Sequence, residues 1–270
     1  MEMGTKDILD SEVVKETYKD AVQPSARKFG SILETLAGTL DSALLPLKKW
    51  NERQKINYNN YIKKLEEEVA LIEPSKRIDI PLELLVPALD KLSYTSSSII
   101  SEMYLQLLTK GASQDTIALA HPGFIHTVSS LSVDEARILR YLFENGKRTI
   151  PFITIMVYSI LDPDTETYRS TQRLTNLSKK YELDYPNNDV LYINNLMGLG
   201  ILDQFEGRSL REDDAEFEDL EARFTQLKED SLKDLIKERG LNSLHNSDFV
   251  RGYYYVTEYG QQFLKACNGS

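Results

Sequence analysis

Two of the chain's three histidines, His121 and His126, precede an adjacent acidic pair, Asp134 and Glu135, in HPGFIHTVSSLSVDEARIL, residues 121–139. Residues of these types build zinc sites and acid–base pairs. A zinc site takes three or four protein ligands, with its histidines at a short helical or loop spacing. His121 and His126 are separated by Pro122 and Gly123, a pair that favours a turn, so no single helical face presents both rings. Asp134 and Glu135 follow Ser132, and Ser132 with Glu135 has the spacing of a capping box, with Leu131 and Ala136 as a weak staple across it. The two carboxylates then fall in the first turn of a helix, at the favourable end of its dipole. The stretch reads as the seam between two helical units rather than a metal or acid–base site.

Other chemistries are no better represented. Gly146-Lys147 in FENGKRTI lacks the earlier glycine and the following Ser/Thr of a phosphate-binding loop. Cys267 lies on the apolar face of the last helix, with only remote histidines to activate it, so burial is the expectation. Asp213, Asp214, Glu216 and Glu218 in REDDAEFEDLEARF read as a solvated helix surface before they read as a magnesium site. No cofactor or metal is expected, and a hydrolase would need a site assembled from distant acidic residues.

The elements that carry these residues are mostly helical. Residues 6–50 read as interrupted helix, with Pro24 and Pro46 as breaks and an apolar face of Ile32, Leu33, Leu36, Leu40, Leu44 and Leu45. NERQKINYNNYIKKLEEEVALI is a charged helix with Ile62, Leu65, Val69 and Ile72 as its stripe. Pro81 and Pro87 limit the helices of IDIPLELLVPALDKLSYT, and SSSIISEMYLQLLTKG is a helix with Ile99, Met103, Leu107 and Leu108 on one face and Gly111 as its stop. RTIPFITIMVYSILD fits a strand or a buried helix equally, because a short apolar run has no diagnostic period. DVLYINNLMGLGILD is a helix running into a short strand, with Gly198 or Gly200 at the exit. Residues 208–239 are a charged helix with Leu220, Phe224, Leu227 and Leu235 inward. Tyr253 to Val256 is a strand, followed by a helix capped by Thr257 that buries Tyr259, Phe263, Leu264 and Cys267.

The fold class that follows is mainly α. A helical N-terminal domain, 1–128, precedes an α+β winged-helix-like unit, 129–270, in which an acidic helical insertion, about 204–248, separates the two wing strands.

At 270 residues, 41% apolar, the chain is long enough for a real core. Its net charge of −10 repels nucleic-acid phosphates and anionic membranes unless local clusters override the average. Residues 129–270 hold 17 basic against 24 acidic side chains, a net of −7. Lys147–Arg148, Lys179–Lys180, Arg169 and Arg173 are the groups that would touch nucleic acid, and only if they gathered on one face. One cysteine permits no intrachain disulfide. The start has no basic region followed by an apolar run, and no stretch reaches the roughly 18 apolar residues of a spanning helix. The expectation is a cytoplasmic protein with no transmembrane segment.

KDAVQPSARKFGSILETLAG, IPLELLVPALDKLSYTSSSIISEMYLQLLTKG, HPGFIHTVSSLSVDEARIL, LGILD and VTEYGQQFLKAC together resemble the Abi-alpha family of bacterial abortive-infection proteins. The likeness spares residues 143–190 and 204–248. Its specific part is the order Pro81, Pro87, Met103, Leu107–Leu108, His121–Pro122, Phe124, Leu131–Ser132 and Asp134–Glu135–Ala136. The resemblance implies defence against phage by an abortive route. It brings no catalytic residues, so His121, Pro122, Phe124, Ser132, Asp134 and Glu135 enter as family-signature or interaction residues.

The function expected is therefore a non-enzymatic defence component that works as sensor, adaptor or self-associating module. Its partner would be a phage or host protein, or a second copy of itself, since symmetric dimers are the commonest soluble oligomers. Phe29 and Gly30 near the start, and Phe217 and Phe224 in the acidic insert, are apolar positions available for assembly or for closing the protein's own core. The alternatives are a nucleic-acid-binding regulator acting through the winged-helix-like unit, and the hydrolase with a dispersed acidic site.

Overall fold

A computed structural model describes residues 52–159, 167–239 and 245–269. The helical reading of 6–50, with Phe29 and Gly30, lies outside the described residues. The chain divides into two compact units, Met1–Tyr94 with Leu108–His121, and Thr95–Leu107 with Pro122–Ser270.

In the first unit, α1 (Glu52–Ala70) packs on α2 (Leu82–Tyr94). The apolar spacing of α1 turns Leu65 and Val69 inward, against a core that includes Leu84, Leu85, Ala88 and Leu92 of α2. Arg77 closes α1: its guanidinium donates to the carbonyls of Ala70 at 2.7 Å and Ile72 at 2.8 Å, which the helix end leaves without amide partners. Pro87 does not end its helix as the sequence suggests; it lies inside α2. Pro87 and Glu83, four residues earlier, are both exposed, so water can take the carbonyl that a proline cannot. α3 (Ser98–Gly111) follows, and its residues are divided between the two units.

The second unit continues with α4 (Gly123–Ser129), α5 (Val133–Glu144), β1 (Thr149–Ser159), β2 (Thr167–Thr175), the short α6 (Leu177–Lys180), α7 (Asp189–Gly198), β3 (Leu202–Glu206), α8 (Asp214–Arg239), β4 (His245–Val256) and α9 (Glu258–Cys267). The strands form one open antiparallel sheet in the order β2-β1-β4-β3. A helix pair, a recognition-position helix (α7), two wing strands (β3 and β4) and a closing helix make this a winged-helix-like unit, as the sequence indicated. α8 stands between the wing strands where a hairpin turn would otherwise be.

Within the run RTIPFITIMVYSILD, Thr149–Ser159 is a strand. Ile150 and Phe152 are buried on one face of β1, Ile153 and Ile155 on the other, which is why alternation was invisible in the sequence. β4 extends well before Tyr253, because it pairs with β1 from Thr149↔Tyr255 to Ser159↔His245. α8 covers one sheet face: Phe217, Leu220 and Phe224 pack with Ile153 and Ile155, flanked by Leu174 and Phe249. Phe224 meets Phe249 edge-on at 5.2 Å. Phe217 and Phe224 thus close the protein's own core, each contributing roughly 1.5–3 kcal/mol by burial, and are withdrawn from any partner.

Candidate functional site

The local chemistry of Ser132 is as its sequence setting demands. The Glu135 amide donates to Ser132 Oγ at 3.2 Å, and the Ser132 amide donates to Glu135 Oε2 at 2.6 Å, so two orphan amides of α5 are satisfied reciprocally. Ser132→Ala is expected to cost about 1 kcal/mol, read as a lower urea midpoint with an unchanged slope. A loss under about 0.3 kcal/mol would mean that the box contributes nothing here.

Capping is the smaller part of what the acidic pair does. Asp134 and Glu135 are each only 2% exposed. Asp134 accepts four hydrogen bonds: Oδ1 from Arg137 Nη1 at 2.9 Å and the Asp184 amide at 2.8 Å, Oδ2 from the Tyr185 amide at 2.9 Å and Tyr192 Oη at 2.6 Å. Glu135 Oε1 accepts from Asn195 Nδ2 at 2.8 Å, and the same amide group reaches the Ser130 carbonyl at 2.9 Å. Burial alone would raise the Asp134 pKa. The Tyr192 hydroxyl, the two amides and Arg137 outweigh it and hold the carboxyl below its usual range. Burial and the Asp134 charge push Tyr192 up to about 12. The pair is a hub that fixes α7, and the turn before it, against α5.

α7 itself has two faces. Tyr192, Ile193 and Leu196 are buried, while Val190, Leu191, Asn194 and Gly198 are exposed. The hub's partners Tyr192, Asn195, Asp184 and Tyr185 were not identified from sequence. The available signal was that DVLYINNLMG is apolar on more than one side, as a helix with two contacts would be.

The other signature residues serve different ends. Pro122 is exposed and precedes α4 as its N-cap, and His121 is exposed in the first unit. Phe124 is buried, edge-on to Tyr259 and to Phe263 at 5.5 Å each. Tyr259, expected inward, is 41% exposed; its ring edges Phe124 while its hydroxyl lies 2.7 Å from Thr127 Oγ1. Phe263, Leu264 and Cys267 are buried, and burial pushes the Cys267 thiol up. Asp213 is not part of a solvated surface: it is buried and accepts from Thr149 Oγ1 at 2.9 Å, with burial raising its pKa.

Among the described residues no three His, Cys, Asp or Glu side chains gather as metal ligands would. Two open grooves of about 400 and 770 Å³ in the second unit have no His or Cys in their walls. Of the basic groups named from sequence, Lys147, Lys179 and Lys180 line one of these grooves together with Glu212, Glu216 and Asp219. Lys179 pairs with Asp219 at 2.9 Å and Lys180 with Glu216, both acids belonging to α8. Arg173 lies over the Phe152 ring at 4.4 Å and donates to Gln204 and to Tyr254 Oη. Two of the cations named from sequence, Lys179 and Lys180, are thus paired with the acidic helix.

The family model described as Abortive infection alpha matches residues 53–267. No curated protein matches the chain. A solved structure of an uncharacterized protein from the hydrocarbon-degrading marine bacterium Alcanivorax borkumensis SK2 is similar over 56% of this chain and 92% of that one, at 18% identity and a TM-score of 0.32. No helix among the described residues is long and apolar enough to cross a membrane.

Proposed function

The chain belongs to the Abortive infection alpha family, and from that membership in phage defence we propose that it acts by protein–protein contact, as a sensor or adaptor, with the winged-helix-like unit as its contact module. One observation carries this reading: the helix at the recognition position and its flanks lack the cations that a DNA backbone calls for. From Tyr181 to Gly207, which includes the whole of α7 and β3, there is not one Lys or Arg. Winged helices that read DNA insert this helix into the major groove and hold the backbone with cations. Here the helix offers Asp189 and apolar side chains instead. In this reading Ser132, Asp134 and Glu135 are positioning residues that keep the contact helix in place, Phe124 packs on the closing helix α9, and His121 and Pro122 are surface residues of the same signature.

The test joins infection to binding. Deletion should remove protection against at least some of a broad phage panel, and the full chain should not bind duplex DNA even at low salt. Unchanged phage growth across the panel would refute the defence role. DNA binding that weakens steeply between two salt concentrations would replace protein contact with phosphate contact.

A further inference from the structure

Resting on the protein-contact reading, we infer that the outward face of α7, together with Tyr185, docks a cationic amphipathic segment of a partner protein. Three large apolar side chains stand in solvent within residues 185–191: Tyr185 is 68% exposed, Val190 47% and Leu191 63%. Single exposed apolar residues are ordinary, but several together mark a contact site. This group is also rigidly backed. The Tyr185 amide and the Tyr192 hydroxyl both donate to buried Asp134, and Tyr192 Oη lies 3.1 Å from the Tyr185 carbonyl. A face held in one conformation before binding loses little entropy on docking.

Charge selects the occupant. Glu182, Asp184 and Asp189 flank the apolar residues. Of the cations that line a groove with Glu182, Arg137 of α5 is engaged by Asp134 and Asp184 at 2.9 Å each, Lys180 is paired with Glu216, and Arg140 lies one turn further along α5. An acidic rim around an apolar centre complements a segment with Leu- or Phe-like residues along one side and Lys or Arg beside them. A second copy meeting this face by a two-fold axis would set the same carboxylates against each other. Nucleic acid and anionic lipid meet the same repulsion.

The experiment uses the full chain and labelled peptides of equal length, one a Lys/Leu amphipathic helix and one a Glu/Leu helix, with vesicles of anionic phospholipid as a third probe. Wild type, Leu191→Asp and Leu71→Asp are compared by fluorescence anisotropy, each checked for an unchanged melting curve. Leu71 is the control because it is 82% exposed in the first unit. The Lys/Leu peptide should bind wild type, bind Leu71→Asp equally, and bind Leu191→Asp at least tenfold more weakly. Both substitutions add a negative charge, so general attraction between a cationic peptide and an acidic protein predicts tighter binding to each. Equal binding of the Glu/Leu peptide, undiminished binding by Leu191→Asp, vesicle binding through this face, or a wild-type dimer abolished by Leu191→Asp would each overturn the inference. In cells, full protection by Leu191→Asp where deletion removes protection would refute this face and leave the defence role standing. A deletion without effect would refute the defence role, whatever the peptide does.

Discussion

Asp134→Ala is expected to destabilise the protein by about 3–5 kcal/mol, the range for removing one partner from a buried charged network. The side chain lost is nearly inaccessible, and what remains behind is worse than a cavity. Two amides, Asp184 and Tyr185, and one hydroxyl, Tyr192, lose their acceptor together. Arg137 keeps Asp184 and the Glu182 carbonyl, so the damage falls on α7 and the turn before it. Hydrogen exchange at the Asp184 and Tyr185 amides should therefore accelerate ahead of exchange in the sheet. Asp134→Asn should lie between alanine and wild type, because an amide keeps one accepting oxygen and turns a donor toward the other pair of donors.

The acid dependence of this hub has a definite sign. The Asp134 pKa is depressed in the folded protein, so its stabilisation is complete above the ordinary aspartate value of about 3.9 and is lost as pH falls through the lower folded value. The difference in unfolding free energy between wild type and Asp134→Asn should accordingly be constant near neutrality and shrink below about pH 4. A gap that stays constant down to pH 2, or amides at 184 and 185 that exchange equally in both proteins, would show that Asp134 is not the support of α7.

Gly260→Ala is expected to cost about 3 kcal/mol, the upper end for overpacking, because the contact it violates is with backbone. A Cβ at Gly260 would lie 2.3 Å from the Ile201 carbonyl oxygen and 2.9 Å from Val256 Cγ1. That carbonyl cannot withdraw freely, since it accepts the Thr257 amide at 3.0 Å, and Thr257 Oγ1 donates to the Gly200 carbonyl at 2.6 Å. The start of α9 would have to lift by about 1 Å, disturbing Phe263 against Phe124, because packed interiors have no slack to absorb it. Thermal unfolding should shift down by about 6–12 °C. Gly198→Ala is the matched control, at a helical glycine with nothing within 4 Å of the added carbon, and should be neutral or slightly stabilising. Equal melting of the two variants would refute the close approach of α9 to the β3 entry.

Features built from neighbours in the chain were legible in the sequence. The capping box at Ser132 needs only residues three apart, as does the Thr257 cap, whose Oγ1 accepts the Gly260 amide at 2.9 Å. The stripe of α8 and the strand-then-helix end of the chain follow from side-chain period and capping chemistry. Gly260, by contrast, looks like a weakness in a helix by propensity alone, and only Ile201 explains it.

The sequence by itself therefore determined where most described helices run, that one domain is winged-helix-like, and which family the chain resembles, because these rest on local spacing and on the order of motifs. Tertiary structure decided what those elements are for. Asp134 becomes a hub only when residues 184, 185 and 192 return to it, and Phe217 and Phe224 become core only when α8 lies on the sheet. Lys179 and Lys180 become ion-pair partners of the acidic helix only when Asp219 and Glu216 arrive beside them. The physical reason is common to all three: burial and charge pairing depend on which distant segment comes to lie alongside, and period and composition carry no record of that partner.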